Sequence, residues 1–105
     1  MTDRRGVILL FFDLPVASKE QRRDYRKFKS FLKKNAFVFV QESVYIKLIH
    51  NTALVGDEVN QLHKNTPTEG SVSILPLCFS DFSNYQALVG DGFDISLFAD
   101  DIVYL

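Results

Sequence analysis

Two groups of side chains in this sequence are of the kind that acts on phosphates. One is a single carboxylate, Asp13, which closes the apolar run Val7–Phe12 and precedes Leu14-Pro15. A carboxylate at a strand end suits a hard cation. Magnesium takes about six oxygens, usually one or two from carboxylates and the rest from water and phosphate. The plain alternative is that Asp13 caps the next turn or pairs with a local Arg. The other group is cationic. Arg22, Arg26, Lys29 and Lys33 recur at helical spacing, and Arg23, Lys27 and Lys34 flank them. On one helix face such a set contacts the phosphate backbone of nucleic acid without reading bases, and counterion release makes that binding steeply salt-dependent. Its plain alternative is a solvated helix face. Arg4 and Arg5 extend the basic set.

Other candidates carry less. Ser43 and Tyr45 are neighbours of interest on one strand. Ser43 could orient phosphate or water, but no base partner is evident, which argues against a serine nucleophile. Tyr45 also reads as core. Cys78 with His50 or His63 has no spacing that marks a dyad; a cysteine is usually a small buried hydrophobe, and His63 reads as exposed. Asp91, Asp94, Asp100 and Asp101 lack the alternating spacing of a calcium loop. They read as a solvated segment, or as a surface that steers a basic protein partner.

The elements that position these groups follow from periodicity. Gly6–Leu14 is β-branched, aromatic and apolar on both faces, so it reads as a central strand. Alternation puts Val7, Leu9, Phe11 and Asp13 on one face. A helix follows. Ser18 and Gln21 have the spacing of a capping box, and Tyr25, Phe28, Phe31 and Leu32 fall within one arc of about 120°. It should end near Asn35. Phe37–Gln41 and Ser43–Ile49 read as strands. Thr52–Lys64 reads as a weaker helix, Thr66–Gly70 as a turn cluster, and Ser71–Leu77 as a strand. Ser80–Leu88 reads as a short helix capped by Ser80, and Ile102–Leu105 as a last strand. The order β-α-β-β-α-β is the ferredoxin-like arrangement. The fold class is therefore α+β, one domain over residues 1–105, with an extra C-terminal strand. Helices cover one sheet face. The other, apolar, is expected to bury itself against a second subunit.

Composition narrows the class. The chain has 105 residues and a formal net charge of −1. That total is an average. Residues 1–34 hold ten basic against four acidic side chains, +6, and residues 35–105 hold two against nine, −7. Charge asymmetry of this kind points to a partner. Hydrophobic residues make up 47%, which excludes a disordered chain. One cysteine excludes an internal disulfide framework and a cysteine-based zinc cluster. The longest apolar run, six residues, is far short of the roughly 20 of a spanning helix. The cytoplasm is the expected compartment.

Three stretches together resemble a known family. They are Leu9-Leu10-Phe11-Phe12-Asp13-Leu14-Pro15, the helix Arg22–Leu32, and Phe37-Val38-Phe39-Val40-Gln41-Glu42-Ser43-Val44-Tyr45. The chain is similar over residues 6 to 76 to CRISPR-associated protein two (Cas2), in a type II-like version, with Ile102–Leu105 resembling the family's terminal strand. The resemblance implies a homodimer formed through sheet faces, with the last strand, about residues 94–105, exchanged onto the partner. It implies spacer acquisition in CRISPR adaptation, with the dimer holding duplex DNA and bridging dimers of the Cas one integrase. It also implies metal-dependent endonuclease activity on RNA or duplex DNA. The family's metal aspartate maps to Asp13, so one Mg2+ would be shared by the two Asp13 of a dimer. Its early-helix arginines map onto Arg22, Arg23 and Arg26. Some members carry an arginine in the second strand, where this chain has Phe37–Val40 and no basic residue. Two other readings remain: a toxin-type endoribonuclease resembling virulence-associated protein D, and a ferredoxin-like regulatory dimer without nucleic acid.

Overall fold

Eight apolar-rich residues, Gly6–Asp13 (β1), take the centre of a four-stranded antiparallel sheet. The structure is a computed structural model that describes residues 3–93. After β1 come α1 (Lys19–Lys34), β2 (Val38–Gln41), β3 (Val44–Ile49), α2 (Val55–Asn65), β4 (Ser71–Cys78) and the single turn α3 (Phe79–Phe82). The strand order is β2–β3–β1–β4, which is the ferredoxin-like α+β order the sequence predicts. Ile102–Leu105 lies outside the described residues.

β1 is apolar on both faces because one face is covered and the other partly so. Ile8, Leu10 and Phe12 point toward the helices and pack with Phe28, Leu32, Tyr45, Ile49 and Leu62. Val7 and Leu9 point the other way and pack with Ile46, Phe79 and Phe82. Pro76 sits within β4 opposite Ile8. It cannot donate to a ladder, and it is tolerated there because β4 is an edge strand.

The ends of α1 are set by its sequence. The Ser18 hydroxyl accepts from Gln21 N–H at 3.0 Å, and Gln21 Oε1 accepts from Ser18 N–H at 3.0 Å, so the capping box forms. At the other end Phe37 N–H donates to Leu32 C=O at 3.0 Å, and Ala36 adopts φ 66°. This left-handed closure is a Schellman motif with the apolar contact that accompanies it, Phe37 with Leu32. The buried stripe is the expected one. Phe28 and Leu32 are fully buried, and Tyr25 and Phe31 pack beside them.

Three expectations need correction. The second helix is split: Thr52–Leu54 is a 3-10 turn whose Ala53 N–H donates to Asn51, and the α-helix begins at Val55. The Asn51 cap draws the chain into the tighter turn first. The third helix covers four residues rather than Ser80–Leu88, and it is not capped by Ser80. Ser80 C=O instead accepts from the Ser83 hydroxyl at 2.6 Å. One turn suffices to bring Phe79 and Phe82 onto the sheet, and Leu88 and Val89 beyond it are almost wholly exposed. For the same reason the second sheet face is only partly open. The Phe79–Phe82 turn and Phe93 cover its Val7 end, leaving Phe11 (43% exposed), two residues before Asp13, and Leu75 (48%), opposite Leu9, uncovered. Arg5 helps to hold that cover. Its guanidinium lies 4.1 Å from the centroid of the Phe79 ring and also binds Asp3, whose carboxyl it holds down to about 2.

Ala36 carries a side chain where the backbone favours glycine. Ala36→Gly is expected to stabilise the fold by about 0.5–1 kcal/mol, read as a rise of a few degrees in Tm in thermal unfolding. An unchanged or lower Tm would mean that the left-handed closure is not strained.

Candidate metal carboxylate and nucleic-acid face

Asp13 is the last residue of β1, opposite Ser71 of β4, and it is exposed. Strand alternation places it with Phe11 on the half-open sheet face, away from α1 and α2. Among the described residues no group of three or more His, Cys, Asp or Glu is arranged to hold a metal. Ser71, directly across in β4, is the strand neighbour of Asp13.

Tyr45 is not brought to Asp13. It pairs with Leu10 in the ladder, so its side chain is on the helix face, buried and stacked on Phe12 at 6.0 Å. Ser43 is closer along the sheet. Its carbonyl accepts from Phe12 N–H at 3.1 Å, one residue before Asp13, and its own φ is 64°. Cys78, His50 and His63 are all exposed, on separate elements, so the thiol is not the buried hydrophobe that base rates favour.

The basic residues of α1 occupy its solvent side. Lys19, Arg22, Arg23, Arg26, Lys27, Lys29, Lys33 and Lys34 are all exposed. The ion pairs among the described residues are Arg5–Asp3 and Lys47–Glu58, and neither draws on α1. The face is not uniform. Arg23, Arg26, Lys27 and Lys34 line one shallow groove with Phe31 and Asn35. Lys29 and Lys33 border a second, toward β2. Arg22 has a local duty. Its Nη1 donates to the carbonyls of Val16 (3.2 Å) and Ala17 (2.9 Å), bracing the loop that leaves Asp13.

The protein-family model described as CRISPR associated protein Cas2 matches residues 7–85. A protein of Acidovorax ebreus named CRISPR-associated endoribonuclease Cas2 is 39% identical over 83 residues, 79% of this chain and 81% of its own length. A protein of the same name from Treponema denticola is 34% identical over 84 residues, 80% of this chain and 83% of its own. Another from Streptococcus mutans is 33% identical over 84 residues, 80% of this chain and 78% of its own.

Two residues that position Asp13 are not evident from the sequence. Gly70, at the end of the turn cluster, has φ +91°, and a Cβ there would lie 2.7 Å from the Asp13 carbonyl oxygen and 2.9 Å from Pro15 Cδ. Gln21 does more than cap α1, because its Nε2 donates to Glu69 at 2.8 Å and so ties the helix start to the same turn. The signal for Gly70 was the turn composition; what it approaches required the fold. Gly70→Ala is expected to cost about 1–3 kcal/mol. Gly56→Ala, whose Cβ meets nothing within 4 Å in α2, should instead gain about 0.5–1 kcal/mol. Denaturant unfolding of both variants checks the pair. Equal effects would show that the close approach at Asp13 does not matter.

Proposed function

This chain belongs to the CRISPR-associated Cas2 family, and on that premise we propose that it is a subunit of CRISPR adaptation. It holds the phosphates of duplex DNA on the exposed face of α1. A second activity, metal-dependent hydrolysis of RNA or DNA phosphodiesters, belongs to Asp13 when two copies meet. The observation that carries the reading is the α1 face: eight exposed cations, none in an ion pair with another described residue. Unpaired cations on a rigid helix leave their counterions to be released by phosphate. Arg23 and Arg26 add the fork geometry that grips phosphate oxygens through two N–H groups at once.

The nuclease reading is supported by the relatives named endoribonucleases and by the position of Asp13. Its donor set is incomplete in one protomer. A lone exposed carboxylate fits half of a magnesium site, and a two-fold axis beside the strand end would supply the other half from the partner's Asp13. Phe11 and Leu75, exposed on the same sheet face as Asp13, are the apolar surface that such a homodimer would bury. Two carboxylates at close range repel unless a cation or a proton lies between them. A bound Mg2+ would polarise the phosphoryl group and lower the pKa of a water. What the chain itself does is fix the backbone around Asp13, through the close approach of Gly70 to its carbonyl and the hydrogen bonds of Arg22 and Gln21 to the following loop. The integrase (Cas one) is assigned to the acidic C-terminal part, where Leu88 and Val89 are 92% exposed. Family membership favours this role over a toxin-type endoribonuclease, and the cationic face disfavours a regulatory dimer without nucleic acid.

Because Arg22 braces a loop, Arg23→Gln with Arg26→Gln is the cleaner test of the face. Binding of a labelled duplex, measured between about 50 and about 200 mM salt, should weaken in the variant, and the log–log salt slope should fall by about 2. Affinity and slope unchanged would remove α1 as the nucleic-acid surface. For hydrolysis, Asp13→Ala should abolish magnesium-dependent cleavage and leave duplex binding in place. Cleavage that survives in Asp13→Ala at matched purity would assign the activity elsewhere.

A further inference from the structure

The second groove beside α1 differs in kind from the first. It lies between the C-terminal half of α1 and the edge strand β2, with a volume of about 470 Å³. Lys29 and Lys33, one helical turn apart, form one side. Phe37, Phe39 and Tyr45 line the other side, with Val38 and Ser30 completing the groove. Phe39 is 57% exposed. The ring does not hang free. It meets Tyr45 edge-on at 5.7 Å and 81°, and Tyr45 is itself buried and stacked on Phe12. Phe39 is therefore the outermost member of a fixed row of rings, and little side-chain freedom remains to be lost on binding. Neither lysine joins an ion pair among the described residues; the Lys29 ammonium lies 5.2 Å from the Tyr25 ring.

A preorganised aromatic platform beside two cations suits a ligand with a flat apolar face and a negative tail. We propose that this groove is a stacking subsite for one unpaired nucleotide of a single strand, with its base on Phe39 and its phosphate between Lys29 and Lys33. Base–aromatic stacking tolerates any base, and lysine acts on phosphate as a point charge, so the subsite selects single-stranded character rather than sequence. The main competing occupant is an added β-strand on the β2 edge. That edge is a poor template: it spans four residues, and a bulge between Phe39 and Gln41 breaks its register. A second copy packed over Phe39 would have to desolvate both lysines without an evident acidic partner. The proposal rests on the reading of α1 as a nucleic-acid face, since Lys29 and Lys33 continue that face toward the sheet edge. A tail leaving the end of a duplex on α1 is the strand the groove would receive.

Fluorescence anisotropy on the full chain tests this with two probes: a blunt DNA duplex, and the same duplex carrying a single-stranded oligothymidine tail. The tailed probe should bind about tenfold more tightly, the value of one good stacking contact. Phe39→Ser should erase that advantage without changing affinity for the blunt duplex, and Phe39→Tyr should keep it. Lys29→Gln with Lys33→Gln should reduce it and flatten its salt dependence. Blunt-duplex binding with no tail advantage in the unaltered chain would overturn the subsite and leave the duplex reading intact. Tail binding without duplex binding would do the reverse. A tail advantage that survives Phe39→Ser, or a change in oligomeric state of that variant by light scattering, would also overturn it, the latter in favour of an interface between copies.

Discussion

Phe12 is the side chain on which the placement of everything else depends. Its ring meets Tyr25 at 6.1 Å and Phe28 at 5.5 Å on α1, both edge-on, and stacks on Tyr45 of β3 at 6.0 Å. Such pairs contribute about 0.5–1.5 kcal/mol each beyond the area they bury. The geometric consequence matters more than the energy. With Tyr25 and Phe28 turned onto Phe12, the rotation of α1 about its axis is fixed, and its cations must face solvent. With Phe12 turned toward the helices, strand alternation turns Asp13 to the opposite face. With Tyr45 held by Phe12, Phe39 has a rigid support at the sheet edge.

That arrangement separates two kinds of electrostatics. The α1 cations and the Asp13 carboxylate are the best-placed charges in the chain, and they sit on opposite sides of the layer formed by helix and sheet. A helix with its side chains is about 10–12 Å across, and the screening length at physiological ionic strength is about 8 Å. The two sets of charges are solvated on different surfaces. The net charge of −1 describes neither surface. The loop between the two, Leu14–Ala17, is where they are mechanically linked. Arg22 and Gln21, both at the start of α1, bind its backbone and the Glu69 turn. One arginine of the cationic stripe thus works for the carboxylate side of the molecule.

Much of this is legible in the sequence. The double-sided apolarity of Gly6–Leu14 identifies a central strand, because only a strand buried on both faces can carry Val7, Ile8, Leu9 and Leu10 in succession. Ser18 and Gln21 mark a helix start through local hydrogen bonds, and the stripe Tyr25, Phe28, Phe31, Leu32 marks its buried face. What failed was what depends on contact between distant segments. Ser80–Leu88 had the composition of a helix, but Phe79 and Phe82 bury themselves within a single turn and leave the rest without a face to pack. Cys78 had the type of a buried residue and lies exposed at the end of an edge strand. Tyr45 stood near Ser43 in sequence, yet alternation puts it on the far side of the sheet from Asp13.

The amino-acid order alone determined which residues form β1 and α1, which face of α1 is cationic, and that Asp13 ends a strand, because these follow from periodicity and from hydrogen bonds a few residues long. Only the tertiary structure decided that Gly70 must lack a side chain against the Asp13 carbonyl, that Arg22 is a brace, that α3 shields part of the second sheet face, and that Phe39 stands exposed across a groove from two lysines. Each of these is a meeting of segments far apart in the chain. The spacing of residues along a sequence carries no term for such distances until the core, here closed around Phe12, has set them.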